Sequence, residues 1–253
     1  MAVSVSTTAI RRGHGTRGSP PRIGAFFDVD KTIIAENSAS LYMAYRYRRG
    51  EISGSEVVRG LGAFLRYKLG VLDIDAWGQR AMREFKDRSE EDMTAEGCEF
   101  FEELVRPAIY PAAVEAIREH QERGHLVAIV SGGVRYVLEP LARYLGIDHI
   151  LCTRLEVRDG QLTGQTIDPL CFREGKIYWL EQFIESNGVS LAKSWFYSDS
   201  VTDVPLLELV GHPVIVNPDP VLYRTAVRRR WPIRLFPVPE NTPVRQGPGQ
   251  APQ

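Results

Sequence analysis

Two aspartates follow an apolar segment near the start of the chain, and their spacing favours metal or acid–base chemistry. The apolar run ends at Phe27, Asp28 and Asp30 come next, and Thr32 lies two residues further on. Side chains alternate along a strand, so Asp28 and Asp30 are expected on one side of its carboxyl end. Two carboxylates held close repel each other, and a divalent cation relieves that repulsion. The alternative is an acidic turn in which Asp30 or Thr32 caps the next helix.

Three later segments carry groups that would complete such a site. Ser131 and Gly132 follow a second apolar strand, where a hydroxyl and bare backbone amides suit an oxyanion. Lys176 opens a helix, and Asp199 and Asp203 follow a third apolar strand. Taken singly, each has an ordinary structural explanation: a turn, a solvated lysine, or acids at a helix N-terminus. Their shared place after strands predicts that they meet.

The pattern along the chain indicates how these residues are positioned. Short apolar runs predict strands over 23–29, 125–130, 194–197, 212–216 and 233–235. Helical segments separate them, and an Asp159-Gly160 pair between residues 154–157 and 161–165 predicts a β-hairpin. This alternation is typical of an α/β protein with a doubly wound, mostly parallel, Rossmann-like sheet. In such sheets ligands bind at the carboxyl ends of the strands.

One long stretch breaks the alternation. Between residues 37 and 106 there is no strand candidate, only helical segments over 38–48, 53–68, 75–85 and 89–105. The stretch is too long for a crossover connection, so we predict an inserted all-helical cap domain, 37–106, in a catalytic core formed by 23–36 and 107–236. The basic, acid-poor arm 1–22 and the proline-rich tail 237–253 are expected to be disordered. An organelle transit peptide is the alternative interpretation of the arm.

Composition excludes several classes of protein. The 253 residues include 31 Lys plus Arg and 32 Asp plus Glu, which argues against a protein that mainly coats nucleic acid. No apolar run approaches the ~20 residues needed to cross a bilayer. Three widely spaced cysteines fit neither a disulfide framework nor a zinc pattern. We therefore expect a cytoplasmic protein without a transmembrane segment or a nucleic-acid partner, of undetermined oligomeric state.

The order of the motifs resembles the haloacid-dehalogenase (HAD) superfamily of phosphohydrolases. The motifs are FDVDKT at residues 27–32, a serine after the second strand, a later lysine, and YSDSVTDVPLL at residues 197–207. A helical insertion between the first motif and the serine is similar to that of the phosphoserine-phosphatase branch, subfamily IB. The resemblance covers about residues 23–236. It implies a phosphatase that acts on a small phosphorylated metabolite.

The resemblance also implies a role for each residue. Asp28 would be the nucleophile that forms an aspartyl-phosphate, and Asp30 the general acid and base. Mg²⁺ would be bound by the Asp28 carboxylate, the Asp30 backbone carbonyl and Asp199, with Asp203 supporting the ion or its waters. The phosphoryl oxygens would be bound by Thr32, Ser131, Gly132 and Lys176.

A lysine at position 31, where many relatives have glycine, raises one alternative. Asp30-Lys31-Thr32 also resembles the phosphorylation motif of ion-pumping ATPases. The Ile33-Ile34 continuation and the lack of membrane spans exclude that interpretation.

The substrate is less well determined than the reaction. Phosphoserine phosphatases have a glutamate nine residues after the nucleophile, near the substrate amine, whereas here Asn37 takes that place, with Glu36 before it. A neutral residue weakens ammonium recognition unless Glu36 substitutes, so other amino-alcohol phosphates, such as histidinol phosphate, stay open. The alternatives are a phosphotransferase or phosphomutase that uses the same aspartyl-phosphate, and a non-catalytic phosphate-responsive module.

Overall fold

A computed structural model describes residues 20–68 and 74–243 of the chain. Its strands are β1 (Gly24–Phe27), β2 (Leu126–Val134), β3 (His149–Arg158), β4 (Gln161–Ile167), β5 (Trp195–Ser198), β6 (His212–Val216) and β7 (Ile233–Arg234). Its α-helices are α1 (Ser38–Arg48), α2 (Gly54–Lys68), α3 (Ile74–Met82), α4 (Glu90–Phe100), α5 (Pro111–Glu122), α6 (Arg135–Leu145), α7 (Glu174–Asn187), α8 (Val204–Leu209) and α9 (Pro220–Arg229).

The predicted arm and tail lie largely outside the described residues, at 1–19 and 244–253. The described chain nevertheless extends beyond the predicted limits of the folded part at both ends. Arg22 donates its backbone N–H to the carbonyl of Gly188 at 2.9 Å. Beyond residue 236, Thr242 is buried, and its hydroxyl donates to the Pro239 carbonyl at 2.7 Å.

The strands form one sheet in the order β4-β3-β2-β1-β5-β6-β7, in which only the β3–β4 pair is antiparallel. This confirms the predicted doubly wound, mostly parallel sheet. From β1 the chain first adds strands on one side, β2 to β4, and then returns to add β5 to β7 on the other. The strand order therefore reverses at β1, and ligands bind at such a reversal point in open α/β sheets.

Alternation along β1 divides the core between the two faces of the sheet. Phe27 packs with Ile129 and Tyr197 against residues of α5 and α6, and its ring stacks on Tyr197 at 4.3 Å between centroids. The preceding residue, Phe26, points to the other face, where it packs with residues of α7, α8 and α9. Burial on both faces explains why β1 is apolar throughout and why polar residues begin only where it ends.

The segment between β1 and α5 contains helices but no named strand in its described part, 38–68 and 74–108. The predicted helix over 75–85 is α3 followed by a 3₁₀ turn, Arg83–Phe85, and the one over 89–105 is α4 followed by a π-helical turn, Phe101–Val105. Its treatment as a separate cap domain, 37–106, stays a proposal.

The predicted hairpin, formed by β3 and β4, is hydrogen-bonded to this helical segment. Asp159 and Gly160 both have positive φ angles, 51° and 76°, as a tight type I′ turn requires. Beside the turn, the Asp87 backbone N–H donates to the Leu162 carbonyl at 2.9 Å, and the Leu162 N–H donates to Arg88 at 2.9 Å. β3 begins at His149, earlier than predicted, because its first half pairs with β2 and only its second half pairs with β4.

None of the helices in the described ranges is both long enough and apolar enough to cross a membrane.

Helices α4 and α6 pack closely because residue 97 of α4 is a glycine, which has no side chain. A Cβ atom at Gly97 would lie 2.1 Å from the carbonyl oxygen of Tyr136, whereas at Gly62, in α2, it would meet no atom within 4 Å. We expect Gly97→Ala to lower the free energy of unfolding by ~1–3 kcal/mol through overpacking. Gly62→Ala is the matched control, expected to be neutral or to stabilise by ~0.5–1 kcal/mol. Urea unfolding measures both, and equal effects would contradict this packing.

His120 of α5, which packs against Trp195 and Tyr197 of β5, is expected to make stability depend on pH. Burial lowers the pKa of His120 to about 4, with further lowering from His125 and Arg123. As the pH falls through 6.5, the unfolded chain binds a proton at His120, whereas His120 of the folded chain stays neutral until about pH 4. The free energy of unfolding therefore falls as the pH drops from 6.5 towards 4. His120→Gln, which cannot titrate, is expected to flatten that part of the dependence. Unfolding midpoints measured across this range for both proteins test it, and parallel curves would contradict it.

Candidate active site

The turn after β1 places the first two acids at the edge of the sheet. The Asp28 backbone N–H still donates to the Tyr197 carbonyl of β5 at 3.0 Å, so its position is fixed by the sheet. The chain then reverses around the Val29 carbonyl, which accepts from the N–H groups of Thr32, Ile33 and Ile34. Lys31 adopts φ 56° in this turn, a left-handed conformation that costs a non-glycine residue energy. This explains why glycine suits the position.

Lys176 connects the end of β1 to the end of β5. Its ammonium donates to Asp28 Oδ1 at 2.8 Å and to Asp203 Oδ2 at 2.9 Å, and all three side chains are buried. Burial alone would lower the pKa of Lys176, but the two carboxylates outweigh it and raise that pKa, so the lysine is charged. The preceding Gly175 allows α7 to begin here, because a Cβ atom would lie 1.8 Å from the Leu170 carbonyl oxygen.

The segment after β5 supplies the second pair of acids. Ser198 donates its hydroxyl to Asp203 Oδ2 at 2.7 Å, which leaves that oxygen with two donors, the serine and Lys176. Asp199 is half-buried, and no residue in the described ranges donates a hydrogen bond to its carboxylate. Its backbone carbonyl accepts from Asp219 at 3.0 Å, and the Asp219 side chain accepts from the Val201 N–H at 2.9 Å.

Burial and mutual repulsion make this cluster of acids costly to ionise. Burial raises the pKa of Asp28 to about 7; Lys176 opposes the shift, whereas Asp203 and Asp30 add to it. Burial raises the pKa of Asp199 to about 8, with Asp28, Asp203 and Asp30 adding to the shift. A site with these properties favours binding of a positive ion.

The donor set fits Mg²⁺. Asp28 and Asp199 offer carboxylate oxygens and Asp30 a backbone carbonyl oxygen, and Mg²⁺ prefers such ligands together with several waters. Across residues 20–68 and 74–243, no three His, Cys, Asp or Glu side chains converge as a complete cage. A set of two carboxylates, one carbonyl and waters does not need one.

Asp30 faces the first helix of the insertion. Its Oδ2 accepts from the Asn37 side-chain amide at 2.6 Å, and its Oδ1 accepts from the Ser38 backbone N–H at 2.9 Å. Burial raises the pKa of Asp30, and the Ser38 hydrogen bond lowers it in part. Glu36 is half-buried beside Lys31; burial raises its pKa, and Lys31 opposes that shift.

Apart from Lys176, which lies in α7, the predicted phosphate-binding groups lie on the turn after β1 and at the end of β2. The Thr32 hydroxyl is buried and has no hydrogen-bond partner among the described residues, so it is available to a ligand. The Ser131 hydroxyl is also buried and accepts from the Gly133 N–H at 3.2 Å. At Gly132 a Cβ atom would lie 2.2 Å from the Phe172 ring, so a larger residue would require that ring to move.

Three supporting residues escaped the sequence analysis. Ser198 and Asp219 hold the loop after β5, as described above. Buried Thr153 donates its hydroxyl to the Gly132 carbonyl at 2.9 Å and accepts from the Cys171 N–H at 3.3 Å, which ties β2 to the loop that leads to Lys176. Ser198 stood inside a motif already singled out, but no sequence pattern marked the other two.

Comparison with known proteins agrees with this arrangement. A family model for haloacid dehalogenase-like hydrolases matches residues 25–208. The chain is 36% identical to the "Inhibition of morphological differentiation protein" of Streptomyces azureus, over 90% of this chain and 82% of that protein. It is 34% identical to a histidinol-phosphatase of Neisseria meningitidis serogroup C, over 84% and 98% of the two chains. A Bordetella pertussis protein of unknown function superposes with a TM-score of 0.77 at 33% identity, covering 85% of this chain and 98% of that one.

Phosphoserine phosphatases are also among its relatives and its structural neighbours. The sheet order, with the four acids and Lys176 at one edge, is thus accompanied by a family match over most of the chain. The chain belongs to the haloacid dehalogenase-like hydrolase family, and its phosphatase homologues indicate a phosphatase.

Proposed function

We propose that the chain is a magnesium-dependent phosphomonoesterase that hydrolyses a small phosphorylated metabolite through an aspartyl-phosphate on Asp28. One observation carries the proposal. The Asp28 carboxylate is buried at the reversal point of the sheet and ion-paired to Lys176, which also pairs with Asp203. A carboxylate held in this way is oriented and partly neutralised, yet it lies beside further acids that would help to hold a metal ion.

The reaction follows in two steps. An Asp28 oxygen attacks phosphorus, the bond from phosphorus to the ester oxygen breaks, and Asp30 gives its proton to the departing oxygen. Asp30, now ionised, takes a proton from a water molecule as that water attacks the aspartyl-phosphate. Phosphate leaves, and Asp28 and Asp30 return to their starting states.

The remaining residues bind the charge that is transferred. Lys176 lies 2.8 Å from Asp28, so its positive charge is next to the position of the phosphoryl group. The unpartnered hydroxyl of Thr32, together with Ser131 and Gly132, supplies donors for the phosphoryl oxygens. Asp28, Asp199 and the Asp30 carbonyl would hold Mg²⁺, and Asp203 would support the ion or its waters. When bound, the ion supplies positive charge that polarises the phosphoryl group.

We infer that the substrate is an amino-alcohol phosphate without a carboxylate. Among the described residues named at this edge of the sheet, acids outnumber cations: Lys31 and Lys176 face Asp28, Asp30, Glu36, Asp199 and Asp203. A substrate carboxylate would add one more negative charge to be desolvated. A relative is named a histidinol-phosphatase, which supports the same class. No observation favours a phosphotransferase, a phosphomutase or a phosphate-responsive module. The cytoplasmic location of the protein stays a prediction.

Replacement of the nucleophile tests the reaction. Asp28→Asn is isosteric and leaves Lys176 paired with Asp203, so the fold is expected to survive. We expect hydrolysis of p-nitrophenyl phosphate in the presence of Mg²⁺ to fall by at least about 10³-fold, as it does when a nucleophile is removed. Chelation of the metal from the wild type is expected to abolish activity and Mg²⁺ to restore it. Activity that survives either change would contradict the mechanism.

A matched pair of substrates tests the inferred specificity. Phosphoserine and phosphoethanolamine differ only by the carboxylate. We expect kcat/KM to be about 10-fold or more higher for phosphoethanolamine, because rejection of one unpaired charge is worth at least ~1.4 kcal/mol. Histidinol phosphate should be hydrolysed faster than either. A clear preference for phosphoserine would contradict the inference without affecting the proposed reaction.

A further inference from the structure

Both carboxylate oxygens of Asp30 are held by the start of α1. Oδ2 accepts from the Asn37 Nδ2 group at 2.6 Å, and Oδ1 accepts from the Ser38 backbone N–H at 2.9 Å. These donors lie seven and eight residues further along the chain, at the point where the helical insertion begins. The orientation of Asp30 is therefore set by α1 and not by the sheet that positions Asp28.

The same asparagine caps the helix with its other polar atom. Asn37 Oδ1 accepts from the Ser40 backbone N–H at 3.0 Å and from the Ser40 hydroxyl at 3.2 Å, and its backbone is extended, as an N-cap requires. The cap fixes the amide: a flip would turn its oxygen towards the Asp30 carboxylate and lose the capping bond. Both polar atoms of the Asn37 side chain are therefore hydrogen-bonded within the protein.

These contacts leave Asn37 no free polar atom for a substrate amine. The position at which phosphoserine phosphatases have a substrate-facing glutamate is occupied here by a residue that faces the acid of the site itself. Helix α1, which Asn37 caps, is anchored to α4. Tyr45 of α1 is fully buried and packs edge-on against Phe100 of α4, with 5.6 Å between the ring centroids.

We propose that Asn37 is a positioning residue for Asp30: it holds the proton-donating carboxyl in place and ties that placement to the first helix of the insertion. The proposal rests on the proposed function, because it assigns Asp30 as the acid. Asn37 acts through Asp30 and does not touch the reacting atoms. When its amide is removed, Asp30 Oδ2 loses its hydrogen-bond donor, and only Ser38 still holds the carboxyl.

Such a role has a distinctive kinetic consequence. A poor leaving group, such as an alkoxide, needs a proton as its bond to phosphorus breaks, whereas p-nitrophenolate leaves readily without one. Misplacement of the acid therefore slows alkyl phosphates selectively. A merely structural role would slow both classes alike. The ratio kcat/KM reports the steps up to leaving-group departure, so it isolates this effect from the later hydrolysis of the aspartyl-phosphate.

The experiment compares Asn37→Ser and Asn37→Asp with the wild type on phosphoethanolamine and p-nitrophenyl phosphate, with Mg²⁺ present. Serine and aspartate both keep a capping acceptor and both lack the amide donor, and aspartate also places a like charge against Asp30 whenever Asp30 is ionised. We expect kcat/KM to fall about 10- to 100-fold on phosphoethanolamine, part of the ~10²–10⁴-fold that a positioned acid contributes. On p-nitrophenyl phosphate we expect less than about a 3-fold change.

Ser40→Ala is the matched control, because it removes a contact to the Asn37 cap without removing a donor from Asp30. It is expected to leave the ratio between the two substrates unchanged. Unfolding midpoints of all variants confirm that each one is folded. An equal loss on both substrates, or no loss on either, would overturn the assignment of Asn37. A wild type that hydrolyses neither substrate would overturn the proposed function itself.

Discussion

A buried lysine between two buried aspartates is the interaction on which the site depends. Lys176 joins Asp28, 148 residues away in sequence, to Asp203, 27 residues away. Each of these charges would cost several kcal/mol to bury alone, and a change that leaves one of them buried without an opposite charge costs about 3–5 kcal/mol. The ends of β1 and β5 and the start of α7 must therefore meet within a few ångströms. Every larger feature of the fold is compatible with that requirement.

The sheet brings these three segments together, and the insertion adds the fourth part. Parallel pairing of β1 with β5 puts Asp28, Asp199 and Asp203 at one edge, and the loop tied by Thr153 delivers Lys176. Asp30 is different, because its partners Asn37 and Ser38 belong to the helical segment. The proposed nucleophile, Asp28, is thus held by the sheet, and the proposed acid, Asp30, by the helical segment. A displacement of α1 would move Asp30 while leaving Asp28 in place.

Much of this arrangement was predictable from sequence, for identifiable reasons. Apolar runs that end in acids mark buried strands and the edge at which ligands bind, so Asp28, Asp30, Asp199 and Asp203 could be found by local pattern. The Asp159-Gly160 hairpin was equally clear, because a type I′ turn requires positive φ angles. The contacts of Asn37 and Thr153 could not be predicted. They depend on side-chain orientation and on distances between segments. The sequence pattern of a helix cap or of a buried threonine is the same whichever group the side chain hydrogen-bonds.

The central claim is that Asp28 becomes phosphorylated during turnover. The most direct test is to mix the wild-type enzyme, Mg²⁺ and a phosphorus-labelled substrate, quench with acid within one turnover, and map the label by peptide mass spectrometry. We expect one phosphoryl group on the peptide that contains Asp28, located on Asp28 itself and lost when unlabelled substrate is added before the quench. Label on Asp30 or elsewhere, or none at any quench time in an enzyme that is turning over, would contradict the claim.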